Sequence, residues 1–289
     1  MKIVTLASSF NRKKYTLESL ASLHRQTLLS SVELVHVLVD DNSSDGTLEA
    51  VESRFPSVHV LKGNGDLYWS GSMRLGWNYI TDNIFSIDYL YVYNDDINLF
   101  SNAIYELLKL SQSFHDPNSH IVVGAFCDGI TNQVTYGGLR RSSWLHPLKF
   151  SLVEPHKTQS LSLDTLNMNS ALIPFHILNT IEFIPAYFIH GGADYDFGLR
   201  ARKRGFYINL SNSYVGTCSR NFHKENWLLA SSSLLDSYRT LCSAKHQPIN
   251  SRFHYYRSHG GAAWFILFLL PYISLPFKFI LYRIKKHAL

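Results

Sequence analysis

The sequence predicts an α/β fold built on a mainly parallel central sheet flanked by helices. Apolar, β-branched runs at Ile3 to Ala7, Leu34 to Val39, Val58 to Leu61 and Tyr89 to Tyr93 alternate with stretches of helical periodicity. Two of these runs stop abruptly at carboxylates, where open parallel sheets bind ligands. The length of 289 residues, 46% hydrophobic and 17% charged, can bury a sizeable core and excludes a disordered, collagenous or disulfide-stapled chain.

In chain order, the first strand closes in the polar turn Ser8-Ser9-Phe10-Asn11-Arg12. Leu17, Leu20, Ala21 and Leu28 share a face and predict a helix from about Lys14 to Gln26. The second strand runs into Asp40-Asp41-Asn42-Ser43-Ser44-Asp45-Gly46-Thr47, by composition a turn and a helix start. Val58 to Leu61 leads to Lys62-Gly63-Asn64-Gly65-Asp66. The tyrosine-rich strand ends at Asn94-Asp95-Asp96, with a helix starting near Ser101. Adjacent like charges repel unless a cation or a hydrogen-bond network offsets them. A divalent ion bridging to phosphate is one solution, and a helix-capping turn is the plain alternative.

Ile121 to Phe126 predicts a further strand, and the turn-rich stretch from Asp128 to Leu163 holds strands of open pairing. Within it, Gly137 to Arg141 reads as a solvated turn, with a surface facing a bound acceptor as the alternative. A last helix opens near Asp194 and stops at Gly205, with acids in its first turn and bases in its last, a pattern the helix dipole alone explains. His36 and His190 read as structural. Gly63 and Gly65 make no dinucleotide fingerprint, because such a motif follows the first strand, and no Walker loop is present. Phosphate charge therefore falls to metal, basic side chains or helix N-termini.

The net charge of +5, gathered near Arg200 to Arg204 and at the C-terminal end, suits anionic phosphates or an anionic membrane surface rather than a nucleic-acid track. Cys127, Cys218 and Cys242 lie far apart without metal-ligand spacing, and the N-terminal apolar run is too short for a signal peptide. From Gly260 to Tyr282 the chain turns strongly apolar and then basic. Pro271 and Pro276 should break a straight helix there, which predicts an interfacial or re-entrant helix pair at a membrane surface, with packing on protein as the alternative.

Thr5, Phe10-Asn11-Arg12, Gln26, Asp40 through Thr47 and Asn94-Asp95-Asp96 together resemble the family 2 glycosyltransferases of GT-A fold. The likeness is to the bacterial branch that builds surface polysaccharides, including rhamnosyltransferase-like members, and covers roughly the first 225 residues. It implies a transferase domain over 1–225, with a nucleotide-binding half over about 1–127 and an acceptor half over about 128–225. A helical region over 226–289 follows, membrane-associating in expectation. Nucleotide-binding residues implied by the resemblance are Thr5, Phe10, Asn11, Arg12, Asp41, Asn64, Trp69, Arg74 and Asp95. Asp96 would ligate the metal, Mg2+ or Mn2+, and His223 would be a second metal or diphosphate contact. Arg74 stands where the branch commonly has Asn.

Asp194, Asp196 and Arg200 match the family's Asp-x-Asp and its Arg six residues on, with Ala193 where a Glu is frequent. The resemblance makes Asp194 the base, with Asp196 and Arg200 in support, in an inverting transfer from a nucleoside diphosphate sugar. The acceptor would be a polyprenyl-linked surface glycan, and the protein a peripheral one on the inner face of the plasma membrane. Asn169 is a further donor contact on this reading, and oligomeric state is open. A sugar nucleotidyltransferase and a non-catalytic scaffold binding nucleotide sugar or glycan are the competing classes.

Overall fold

The computed structural model describes residues 1–219, 233–246 and 248–287. β1 (Lys2–Ser9), β2 (Glu33–Asp40), β3 (His59–Lys62) and β4 (Tyr89–Tyr93) form a parallel half-sheet, connected through α1 (Lys13–His24), α2 (Thr47–Arg54) and α3 (Tyr68–Asn83). Then come β5 (Asn98–Leu99), α4 (Ala103–Gln112), β6 (His120–Cys127), β7 (Val134–Tyr136), β8 (Gly138–Arg141), β9 (Phe150–Leu152), β10 (Leu161–Ser162), β11 (Thr165–Leu166) and β12 (Ser170–Pro174). α5 (Phe175–Thr180), α6 (Ala193–Lys203) and β13 (Tyr207–Thr217) follow. The main sheet runs β10-β13-β6-β12-β4-β1-β2-β3, with β12 antiparallel to both neighbours, while β11-β8-β9 make a small separate sheet.

Strand alternation sorts side chains into two layers. Val4, Leu6, Leu90 and Val92 face Met73 and Ile80 of α3 and Phe197 and Leu199 of α6. Ile3, Tyr89, Tyr91 and Tyr93 face Leu20 and Leu23 of α1, Val51 of α2, and Ile104 and Leu107 of α4. The segment read as a solvated turn is instead a strand whose Gly138 and Leu139 are buried under Leu163, while Arg140 and Arg141 are exposed.

The C-terminal region is stitched to this body rather than appended to it. In α8 (Ile249–His259), following α7 (Leu234–Leu241), Tyr255 joins the main core and the Ser251 hydroxyl donates to the Tyr187 carbonyl at 2.6 Å. The expected break at the two prolines does not occur: α9 (Trp264–His287) is continuous through Pro271 and Pro276. A proline frees the carbonyl four residues before it, and the Tyr238 hydroxyl donates to that carbonyl of Tyr272 at 2.8 Å. Leu275 packs there against Leu241 and Tyr238, while Ile266, Leu270, Ile273, Phe277, Ile280 and Ile284 remain exposed on α9.

At Gly216 a Cβ would strike the Asn98 backbone carbonyl in β5. Gly216→Ala should therefore lower stability by about 1–3 kcal/mol, read by urea denaturation.

Candidate active site

Acids follow two of the parallel strands, and the two groups are held differently. Asp41, just past β2, is buried, and its carboxylate accepts three backbone N–H groups: Gly65 on Oδ1 at 2.8 Å, Leu67 and Tyr68 on Oδ2 at 3.0 and 3.1 Å. These bonds shape the loop into α3. A Cβ on Gly63 would lie 2.5 Å from Asp41 Oδ1, so this close approach requires glycine. Tyr68 takes a left-handed φ of 53°, strain that the same carboxylate holds in place.

Asp95 and Asp96 follow β4. The Arg12 fork spans both, Nη1 to Asp95 Oδ1 and Nη2 to Asp96 Oδ2, each at 2.9 Å. Burial pushes the Asp95 carboxyl up to about 6 against the pull of Arg12, and the Asp96 charge adds to the rise.

Beside these acids lies a cleft of about 290 Å3 lined by Ser9, Phe10, Arg12, Asp41, Tyr68, Trp69, Ser72, Asn94 and Asp95, with His190 and Lys245 on its far side. The Trp69 indole N–H donates to Asn94 Oδ1 at 3.2 Å. Trp69, Asn94 and His190 also line a second cavity of about 190 Å3, completed by Asn169, Gly191 and Asp194. Asp194 occupies the first turn of α6. Its Oδ1 accepts the Tyr195 N–H at 2.9 Å, and Asn167 Nδ2 stands 3.5 Å from Oδ2. Burial raises its carboxyl to about 6, against the lowering by those bonds. The two cavities thus meet at the Trp69–Asn94 pair, with the Asp95–Asp96 element on one side and Asp194 on the other.

Phe10, Arg12, Asp41, Trp69 and Asp95 come together at the cleft, and Asp96 lines an adjoining cavity across Arg12. Four residues expected at the nucleotide do other work. Thr5 is fully buried in β1 with its hydroxyl on His36 Nδ1 at 2.9 Å. Asn11 accepts the Ser44 N–H at 2.7 Å and fastens the first turn to the second. Asn64 is exposed and accepts the Asp66 N–H within its own turn. Arg74 turns away and donates to the carbonyls of Pro185 and Phe188 at 3.1 and 2.8 Å, because its side of α3 faces that loop. His223 lies outside the described residues.

Asp196 is fully buried, its Oδ2 on Arg200 Nε at 2.6 Å and its Oδ1 on His259 Nε2 at 2.8 Å. Arg200 also caps the carbonyls of Glu182 and Phe183. Support by Asp196 and Arg200 is therefore architectural: they pin α6 to α8 and to the preceding loop. Sequence reasoning missed His259, Lys245 and the placement of His190 in both cavities. Each lies far along the chain from its partners, and no motif marks it.

A divalent cation fits the Asp95–Asp96 element by its donor chemistry. The two carboxylates share one cation, the Arg12 guanidinium, each through a different nitrogen. Two hard oxygen donors suit Mg2+ or Mn2+, which complete their shells with phosphate and water. Among the described residues no group of three or more His, Cys, Asp and Glu side chains surrounds such a point.

A mainly parallel sheet with paired carboxylates beyond β4 and a cleft beside them is a GT-A-like fold. The sequence profile described as glycosyl transferase family 2 matches residues 6–169, and the chain belongs to that family. Membership of that family sets the sugar nucleotidyltransferase reading aside. No curated protein matches the chain in sequence.

Among solved structures, TarS 1–349 of S. aureus in complex with UDP-GlcNAc aligns with a TM-score of 0.53 at 14% identity, over 89% of this chain and 71% of that one. A mannosyltransferase of Pyrobaculum calidifontis in complex with GDP-Man and Mn2+ aligns with a TM-score of 0.54 at 12% identity, over 94% and 69%. These are likenesses of fold. The longer TarS chain matches with a TM-score of 0.53 at 14% identity over 88% of this chain, which spans 42% of its length.

Asp196→Ala would strand Arg200 and His259 without their shared carboxylate. It should destabilise the fold by about 3–5 kcal/mol in denaturant titration.

Proposed function

We propose that this chain is an inverting, metal-dependent glycosyltransferase that moves a sugar from a nucleoside diphosphate sugar to a hydroxyl of a lipid-linked cell-surface glycan. The observation that carries this reading is the position of Asp194, whose cavity shares Trp69, Asn94 and His190 with the cleft beside Asp95 and Asp96. A donor seated in the cleft would direct its sugar toward that shared wall. Phe10, Tyr68 and Trp69 offer flat faces for base or sugar, and Arg12 and Lys245 offer charge to the diphosphate. The donors bound by the two fold neighbours, UDP-GlcNAc and GDP-Man, support a nucleoside diphosphate sugar.

Asp194 takes the acceptor hydroxyl proton as that oxygen bonds to the anomeric carbon. The bond from that carbon to the diphosphate breaks on the opposite face, and the electron pair leaves with the nucleoside diphosphate. A carboxyl poised at about 6 is ionised at neutral pH yet more basic than a free one. Asp95 and Asp96 would hold Mg2+ or Mn2+, which supplies positive charge to the leaving diphosphate when bound.

Residues 1–225 make up the transfer domain on this reading, and 226–289 dock it to the inner face of the plasma membrane. The exposed apolar side of α9 supports membrane docking, and the helix over Gly261–Ile284 is long and apolar enough to cross a bilayer. The packing of Tyr272, Leu275 and Phe279 on α7 favours a helix lying on the surface.

A thermal-shift panel of UDP, dTDP, GDP and CDP, each with and without Mn2+, tests the donor reading. One diphosphate should stabilise the protein, and more so with metal; no shift from any would sink it.

Asp194→Asn should lower kcat on the order of 10²–10⁴-fold while keeping the nucleotide-induced shift. In wild type, kcat/KM should fall about tenfold per pH unit below about 6 as Asp194 protonates. A raised carboxyl also makes the ionised form unfavourable to folding, so its penalty is present above about 6 and relieved as pH falls toward the unfolded value. Asp194→Asn should accordingly melt higher than wild type at pH 7.5, with the gap closing near pH 4.

Replacing Ile273, Phe277 and Ile280 by Asp should abolish cosedimentation with anionic vesicles without altering the melting temperature.

A further inference from the structure

Arg12 stands where the chain's own chemistry calls for a cation. Its guanidinium reaches two different carboxylates at 2.9 Å each rather than forking onto one. Its backbone is fixed at the head of α1, where the Arg12 carbonyl accepts both the Thr16 N–H at 2.9 Å and the Thr16 hydroxyl at 3.0 Å. The side chain beyond that anchor is a third exposed and forms part of the wall of two cavities. One is the cleft already described. The other, of about 360 Å3, is lined by Asp96, Tyr15, Glu18 and Cys218, with the guanidinium 5.3 Å from the Tyr15 ring. The guanidinium therefore borders two cavities and is held by the two carboxylates.

We propose that Arg12 is the resident counter-ion of Asp95 and Asp96 and competes with the divalent cation for their oxygens. The cation, once bound, hands the freed guanidinium to the donor's diphosphate. Two adjacent carboxylates, one buried and one half-buried, would repel one another if left bare, so a built-in cation stabilises the empty site. The same cation opposes loading by metal alone. A divalent ion in that seat repels the guanidinium, and an arriving diphosphate offers it a new anion. Metal and donor then bind with positive coupling, each removing the cost of the other, and the coupling is reciprocal. The last step of this account, the contact of Arg12 with the diphosphate, rests on the donor reading above. The competition itself involves this chain and metal alone.

The test is Mn2+ binding to the full chain, followed by the loss of the free-ion electron paramagnetic resonance signal, with no nucleotide present. Arg12→Gln should bind Mn2+ about tenfold more tightly than wild type, with Arg12→Lys between them. A merely structural arginine gives the opposite sign, since its loss would loosen the site; equal or weaker Mn2+ binding by folded Arg12→Gln overturns the proposal. If Arg12→Gln does not fold, Arg12→Lys decides, because a lysine point charge cannot span both carboxylates and should also tighten Mn2+. Unchanged or weaker binding there overturns it equally. Adding the nucleoside diphosphate that stabilises wild type should tighten Mn2+ in wild type by a larger factor than in Arg12→Gln, and equal factors would overturn the hand-over. Failure of every nucleoside diphosphate to bind would count against the donor reading, and the Mn2+-alone comparison would still decide whether Arg12 competes.

Discussion

Negative charge gathered at one edge of the sheet is the constraint that the rest of the structure answers. β2 delivers Asp40 and Asp41 to that edge, and β4 delivers Asp95 and Asp96 two strands away. Buried carboxylates in low dielectric must be hydrogen-bonded or paired. Asp41 is satisfied by backbone, and the consequence is a loop wound tightly enough to demand Gly63 and to strain Tyr68. Asp95 and Asp96 are satisfied by a side chain instead, and a side chain can leave. The difference separates a carboxylate fixed by the loop around it from a pair held by one side chain.

Much of this was legible in the sequence, for physical reasons. Strand alternation in Tyr89 to Tyr93 and in Ile3 to Ala7 fixes which residues face which layer, and an abrupt stop at paired acids marks the functional edge. What a strand or helix pattern leaves open is the direction of a side chain whose partner lies far along the chain. Thr5 sits in a strand that ends at the site, yet it points into the core toward His36. Arg74 lies on the helix that borders the cleft, yet packing of α3 sends it to carbonyls more than one hundred residues later. His190 and Lys245 approach the cleft from loops that no periodicity positions.

The C-terminal helix illustrates the same limit. Two prolines within five residues argue for a break when the helix is considered alone. The freed Tyr272 carbonyl finds the Tyr238 hydroxyl from a different helix, so tertiary structure supplies the hydrogen bond that the local sequence withholds. One side of α9 is thereby committed to protein, and its remaining apolar side is left exposed.

Helix geometry also explains why two acids two residues apart play unlike parts. Positions i and i+2 on an α-helix point roughly 200° apart and do not face each other. At the head of α6, this turns Asp196 inward, onto Arg200 and a histidine from α8, and turns Asp194 outward to the cavity wall. The inward acid gains two partners and locks the helix in place. The outward acid accepts backbone N–H groups and a distant amide, too little to offset its burial, and its carboxyl rises to about 6. The less fully satisfied acid stays in position because its neighbour is satisfied completely. The Asp-x-Asp spacing is in this sense one device with two halves: a buried clamp that orients the helix and a carboxylate that the clamp holds at the wall of the neighbouring cavity.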